Sequence, residues 1–318
     1  MTENVAVAVI EPSPGRLTNP VKRYFLATRP PFLLASFVPS LTGLAVAASS
    51  GVEIDFLLAI CTVLGAVLFH AAANVLNDYY DALNGTDDFN TQRIYPFTGG
   101  SRFIQNGVLS KEQTARFGLA LLFAGVLLGL YLLQHSDRGL LMIGVAGTFI
   151  AWAYSAPPLS LNSRGLGELC IATAFGLLII VGADYVQRGE FSLFPLLLAV
   201  PYGLLTSNLL YINQFPDREA DEKAGKHHLV VRLGAQRGRW GYLLLLAVAN
   251  LWLLSLVLSG VVTPWALLAL LAAPLGLKAA LILLRHAHQP SQLVPAIRMT
   301  IASLLLHGLL LSLGLVIS

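Results

Sequence analysis

Asn74-Val75-Leu76-Asn77-Asp78-Tyr79-Tyr80-Asp81, running on through Gly85 to Asp87 and Asp88, closes an apolar run that begins near Phe56. On a helix, positions i, i+4 and i+7 share one face, so Asn74, Asp78 and Asp81 are expected to point the same way. Acidic groups at membrane depth are costly and usually functional. A second stretch of this kind follows much later: Asn213-Gln214-Phe215-Pro216-Asp217-Arg218-Glu219-Ala220-Asp221, leading into Gly225 and Lys226. Two acidic clusters, each closing an apolar segment, predict one site built from two helices.

The surrounding chain has 318 residues, 56% hydrophobic and 12% charged. That is the balance of an integral membrane protein and not of a soluble domain. Cys61 and Cys170 both fall in apolar runs, which predicts neither a disulfide framework nor a zinc site. Residues 1–30 read as a basic arm without a signal-peptide pattern, and 31–318 as one transmembrane domain. Apolar spans long enough to cross a bilayer fall at about 31–50, 56–80, 113–134, 139–157, 167–187, 192–214, 240–259, 264–284 and 296–317. The expectation is an all-α bundle of nine transmembrane helices.

Lys and Arg number 20 in all, and only Arg138 and Arg188 fall on the side opposite the N-terminus. The positive-inside rule then places the N-terminus and both acidic motifs in the cytoplasm, with the protein in the cell inner membrane. The partner implied on every side is the lipid bilayer, and nothing points to nucleic acid. The long connections, 82–112 and 215–239, lie on the cytoplasmic side, where function is expected to sit. Pro96 and Gly99-Gly100 predict an irregular loop in the first of them.

Carboxylates with amide oxygens are hard ligands that suit Mg²⁺, which commonly bridges to phosphate oxygens. Mn²⁺ is accepted by the same donors. Around the acidic residues lie cations able to hold a polyanion: Arg93, Arg102, Arg164, Lys223, Lys226 and Arg232. Asp and Arg/Lys together at the rim of an apolar bundle fit a diphosphate joined to a hydrophobic tail. Metal ions clamp a leaving diphosphate and neutralise its developing charge. The implied chemistry is loss of diphosphate from an allylic carbon, with an acceptor intercepting the cation.

Other residues read as structural. Arg237 and Arg239 enforce topology; His227 and His228 are expected to be solvated in a loop; His70 and His307 are expected to be satisfied within helices. Asp184 falls on the far side, away from the motifs. Tyr154, just before Ser155-Ala156-Pro157-Pro158, is the aromatic residue raised as a site candidate.

At these residues the chain closely resembles the UbiA-type intramembrane prenyltransferases. That family has nine helices and two aspartate-rich motifs, NxxxDxxxD and DxxxD, which bind Mg²⁺ and prenyl diphosphate. Asn213, Asp217 and Asp221 match the second motif in spacing. The first departs, because Asp81 is followed four residues on by Gly85, so that Asp87 or Asp88 is the next acid. Within the family, Asn77-Asp78-Tyr79-Tyr80-Asp81 with Gly85 and Asp87 resembles the signature of the dihydroxynaphthoate polyprenyltransferases of menaquinone biosynthesis. The stretches Tyr154 to Glu168 and Gly225 to Gly234 resemble the same branch.

The resemblance implies an enzyme that transfers a polyprenyl group from a polyprenyl diphosphate to an aromatic acceptor, 1,4-dihydroxy-2-naphthoate, with release of diphosphate and CO₂. It implies two Mg²⁺ sites held by Asp78, Asp81, Asp87 or Asp88, Asp217 and Asp221. Asn74, Asn77 and Asn213 would assist, and Arg93, Arg102, Tyr154, Arg164, Lys223 and Lys226 would lie against the substrate. The alternatives are a member of the same superfamily acting on a homogentisate-like ring or a glyceryl lipid, an intramembrane aspartyl protease, or an ion-coupled transporter. Pro216 inside the second motif removes a backbone donor and predicts a kink near Asn213.

Overall fold

The computed structural model describes residues 11–85 and 90–318. It is helical throughout, with no strand among the described residues. A short helix, α1 (Pro20–Ala27), is capped by Asn19, whose side chain accepts the Lys22 amide. It leads into α2 (Pro30–Ser49) and α3 (Phe56–Asn84). Asp55 caps α3 by accepting the amides of Leu57 and Leu58, and Gly85 ends it in the left-handed conformation, φ +79°.

There follow α4 (Lys111–Gln134), α5 (Gly139–Ser155), α6 (Gly167–Arg188) and α7 (Leu193–Lys223). The chain finishes with α8 (Leu229–Leu258), α9 (Pro264–His286) and α10 (Pro290–Val316). Eight of these, α2–α4 and α6–α10, are long and apolar enough to cross a membrane; α5 is a shorter apolar helix of 17 residues. The nine expected spans therefore resolve into these eight and the shorter α5.

Packing closes the bundle: α3 lies along α4, α7 along α8, and α10 returns beside α2 and α9. Contact between α4 and α5 is slight. A core cluster forms around Tyr202, Ile212, Leu283 and Ile297, from α7, α9 and α10. Small residues permit close crossings. A Cβ on Gly176 of α6 would run into the backbone of Gly203 on α7, the kind of approach that packs helices in lipid. The turn of α6 beside it, Ala172–Leu178, is π-helical.

The second long loop expected from the sequence, 215–239, is not there. Helix α7 continues through Pro216 to Lys223, and α8 begins at Leu229, leaving only Ala224–His228 between them. Packing overrides the missing proline amide, since Tyr211, Ile212 and Phe215 are all buried. Arg218 also reaches Glu222 one turn on, at 3.7 Å, a pairing that supports helix beyond the apolar part. Inside α8 the backbone leaves helical geometry at Gly234, φ +70° and ψ +160°. The first loop is irregular as expected, with Gly99 and Gly100 both at φ +74°.

Candidate active site

Both motifs ride on the C-terminal turns of their helices, α3 and α7, and both ends face one cavity of about 930 Å³. From α3, Asn74, Asn77 and Asp81 line it. Asp78 does not, contrary to the face expected from spacing. Positions 78 and 81 differ by about 60° around a helix, and the roll of α3 sends Asp78 the other way. Its carboxylate lies 3.4 Å from Arg29 Nη2 and accepts the Ser101 amide at 3.2 Å. Asp78 is thus a buried tie between α3, the start of α2 and the loop. Asp87 and Asp88 lie outside the described residues.

From α7, Asn213, Gln214, Asp217 and Asp221 line the cavity, so Pro216 does not turn Asn213 away. Asp217 accepts hydrogen bonds from Asn90 Nδ2 at 2.6 Å and the Gly99 amide at 3.2 Å. The short link to α8 then folds back. Lys226 donates to Asp81 Oδ1 at 2.8 Å and stands 3.4 Å from Asp221 Oδ1. His228 places Nε2 3.1 Å from Asp221 Oδ2, while its Nδ1 accepts the Val231 amide at the start of α8. The two motifs therefore meet on one buried lysine. His228 is buried in the site and is not the solvated residue expected. The readable sign was its place as the polar residue just before an apolar helix, where a cap belongs.

Beyond this polar end the cavity runs between α4, α5 and α6, past Gly129, Leu130, Val145, Thr148 and Leu178. Tyr154 lines it, as does Arg29. Arg29 adopts φ +57° directly before Pro30. That backbone is costly for a residue other than glycine, and it is held where the guanidinium meets Asp78. Every residue lining the cavity precedes α8.

Of the cations expected at a diphosphate, only Lys226 reaches the cavity. Arg164 is exposed and donates to the Pro158 carbonyl at 2.6 Å, and Lys223 is exposed outside the cavity. Arg232 donates to the carbonyls of His227 and Arg164. Arg102 is buried in the loop, off the cavity wall. Arg93 points outward, donating to Glu11 Oε1 at 2.7 Å and to the Asn90 carbonyl.

That last pair fastens the N-terminal arm. Glu11 also accepts from Asn106, and the Arg93 hydrogen bond holds its carboxyl below the ordinary 4.5, against a smaller upward push from burial. A folded value below the unfolded one means the clamp contributes fully above the unfolded value and is lost as pH falls through the folded one. Protease nicking of the arm in detergent is expected to rise on acidification below 4.5. In Glu11→Gln it should be raised at neutral pH and flat with pH. A wild-type arm equally resistant at both pH values would refute the clamp.

The carboxylates of Asp81, Asp217 and Asp221, with Asn77, form a set of hard oxygen donors. Asn213 Oδ1 is buried with no hydrogen-bond partner in the structure, which leaves an amide oxygen to spare at this wall. These donors fit Mg²⁺ in kind. Among the described residues no three acidic or histidine side chains close on one point; between Asp81 and Asp221 stands Lys226.

Comparison with known proteins follows the same lines. Residues 36–304 match the UbiA prenyltransferase family. A 1,4-dihydroxy-2-naphthoate octaprenyltransferase of Haemophilus influenzae is 32% identical over 95% of this chain and 98% of its own. Its counterpart in Escherichia coli is 31% identical over 91% and 94%, and that of Bacillus subtilis 28% over 92% and 91%. Among solved structures, a UbiA homolog from Archaeoglobus fulgidus bound to GPP and Mg²⁺ superposes with a TM-score of 0.61 at 17% identity, covering 91% of this chain and 99% of that one. A digeranylgeranylglyceryl phosphate synthase gives 0.64 at 18%, covering 94% and 99%. At such identities these two establish the fold and nothing finer.

Proposed function

The chain belongs to the UbiA prenyltransferase family and is an enzyme that transfers prenyl groups, and on that premise we propose that it joins a polyprenyl chain to 1,4-dihydroxy-2-naphthoate in menaquinone biosynthesis. The observation that carries the reading is the meeting of Asp81 and Asp221, from two helices, on Lys226 at the polar end of an otherwise apolar cavity. A diphosphate with a long hydrocarbon tail has that polarity. The relatives named as dihydroxynaphthoate octaprenyltransferases, at about 30% identity over nearly the whole chain, support the choice of acceptor. The lysines and arginines flanking the motifs support a cytoplasmic position for this end.

Asp81 with Asn77, and Asp217 and Asp221 with Asn213, would hold Mg²⁺. Bound there, the ions supply neutralisation of charge on the departing diphosphate. Lys226 is then drawn from the carboxylates to a diphosphate oxygen. The apolar walls of α4, α5 and α6 take the tail and exclude water from the allylic carbon, which keeps the cation for the acceptor. The acceptor's ring carbon bearing the carboxylate forms the new C–C bond as the C–O bond to diphosphate breaks. CO₂ then leaves with its bonding pair returned to the ring.

The test uses purified protein in detergent with a polyprenyl diphosphate, Mg²⁺ and a panel of aromatic acceptors, following diphosphate and CO₂ together. Equal release of both, only with the dihydroxynaphthoate, is the expected result. Diphosphate without CO₂ would move the acceptor to another ring or to a glyceryl lipid, and no diphosphate from folded protein would sink the assignment.

A further inference from the structure

Deep in the cavity, one polar pair has no part in the chemistry above. His70 on α3 and Ser36 on α2 both line the wall, and His70 Nδ1 lies 2.7 Å from Ser36 Oγ. His70 is 9% exposed and Ser36 fully buried. The imidazole meets Phe175 of α6 edge-on, with ring centroids 4.6 Å apart, and Phe32 lines the same wall. This histidine is not satisfied within its own helix, as the sequence had suggested; its bond crosses to a neighbour. Among the described residues, Ser36 is the only hydrogen-bond partner of His70, so Nε2 has none.

A polar nitrogen offered to an apolar cavity is costly unless a ligand completes it. Resting on the prenyl-transfer reading, we propose that His70, locked in orientation by Ser36, recognises a ring hydroxyl of the aromatic acceptor. The Ser36 hydroxyl either donates to Nδ1 or accepts from it, leaving Nε2 as a donor or an acceptor respectively. A hydroxyl satisfies both cases, since it donates and accepts; a hydrocarbon tail satisfies neither. The aromatic surfaces of Phe32 and Phe175 give a flat ring its contact. Position is also suitable. His70 lies four residues before Asn74 and seven before Asn77, about 6 and 10 Å along the axis of α3. A two-ring acceptor covers the space between the diphosphate end and this wall. His70 is a recognition residue touching the acceptor, and Ser36 a positioning residue acting through it.

The experiment measures equilibrium binding, by titration calorimetry in detergent, of 1,4-dihydroxy-2-naphthoate and its two analogues each lacking one hydroxyl. Wild type is expected to bind the parent at least tenfold more tightly than one of the analogues. In His70→Phe that ratio should fall to near one, while binding of a prenyl diphosphate and the melting temperature stay unchanged. Ser36→Ala should lose part of the ratio, and His70→Gln, which keeps a hydrogen-bonding group, should keep part. A merely structural pin would lower the melting temperature and leave the ratio intact. If His70→Phe fails to fold, the Ser36→Ala and His70→Gln ratios decide. A wild-type ratio retained in the folded variants overturns the proposal. If the acceptor panel selects a different hydroxylated ring, the acceptor reading has failed and the same ratio is read on that ring and its deoxy analogue. If no aromatic ring is taken, the His70 assignment falls with it.

Discussion

Asp81→Asn is expected to lower prenyl transfer by on the order of 10³ or more while the protein still folds, and Asp78→Asn by no more than about a hundredfold. The two residues lie three apart on one helix, and the spacing of the first motif makes them equivalent. The structure does not. Asp81 lines the cavity and is one of the two carboxylates that meet on Lys226. Asp78 is turned to Arg29 and the Ser101 amide, so its effect on chemistry passes through the loop that carries Gly99. Its loss should show instead as a lowered melting temperature, because Arg29 is left beside a neutral amide in a largely buried place. Steady-state rates with saturating diphosphate, set beside thermal melts in detergent, separate the two. Equal inactivation by both, with unchanged melting, would put Asp78 back among the groups at the reacting centre.

Lys226→Met is expected to tighten binding of Mn²⁺ alone by roughly tenfold or more, while raising KM for the prenyl diphosphate by a similar factor. The ammonium sits within 2.8 and 3.4 Å of carboxylates from both motifs. Like charges a few ångströms apart in a buried site repel by several kcal/mol even at an effective dielectric of about 20. A divalent ion held by these carboxylates would therefore displace the lysine, and removing the lysine would leave two uncompensated carboxylates that favour a metal. The opposite effect on the diphosphate follows because the same ammonium is the one cation of the expected set that reaches the cavity. Electron paramagnetic titration with Mn²⁺, without substrate, reads the first effect apart from activity. Weaker Mn²⁺ binding in a folded Lys226→Met protein would contradict the competition.

Much of the architecture was legible. Apolar runs of bilayer length do not depend on distant contacts, so each expected span has a helix at its place. The second motif was legible for the same local reason, with Asn213, Asp217 and Asp221 one turn apart. What failed needed tertiary knowledge. Periodicity places Asp78 and Asp81 on one broad face, and only the roll of α3 against α2 separates them. The continuation of α7 through Pro216 depends on the burial of Phe215, which no local signal carries. Charge and proximity in sequence group Arg93, Arg102, Arg164 and Lys223 with Lys226, yet Arg93 and Arg164 bond elsewhere, Arg102 is buried off the cavity wall and Lys223 is exposed outside it. His70 and His228 were discounted because a lone histidine gives no sign of what lies opposite.

That every cavity-lining residue precedes α8 bears on how the protein comes into being. The bond from Lys226 to Asp81 spans 145 residues, so the two motifs cannot meet until seven helices and the following turn have left the ribosome. Once they have, every residue of the proposed site has been made, and the three helices still to come pack behind it. Inherited changes in α8–α10 should accordingly alter how much enzyme a cell holds, leaving the turnover of each surviving molecule nearly untouched, whereas changes in α3 or α7 act on every molecule made.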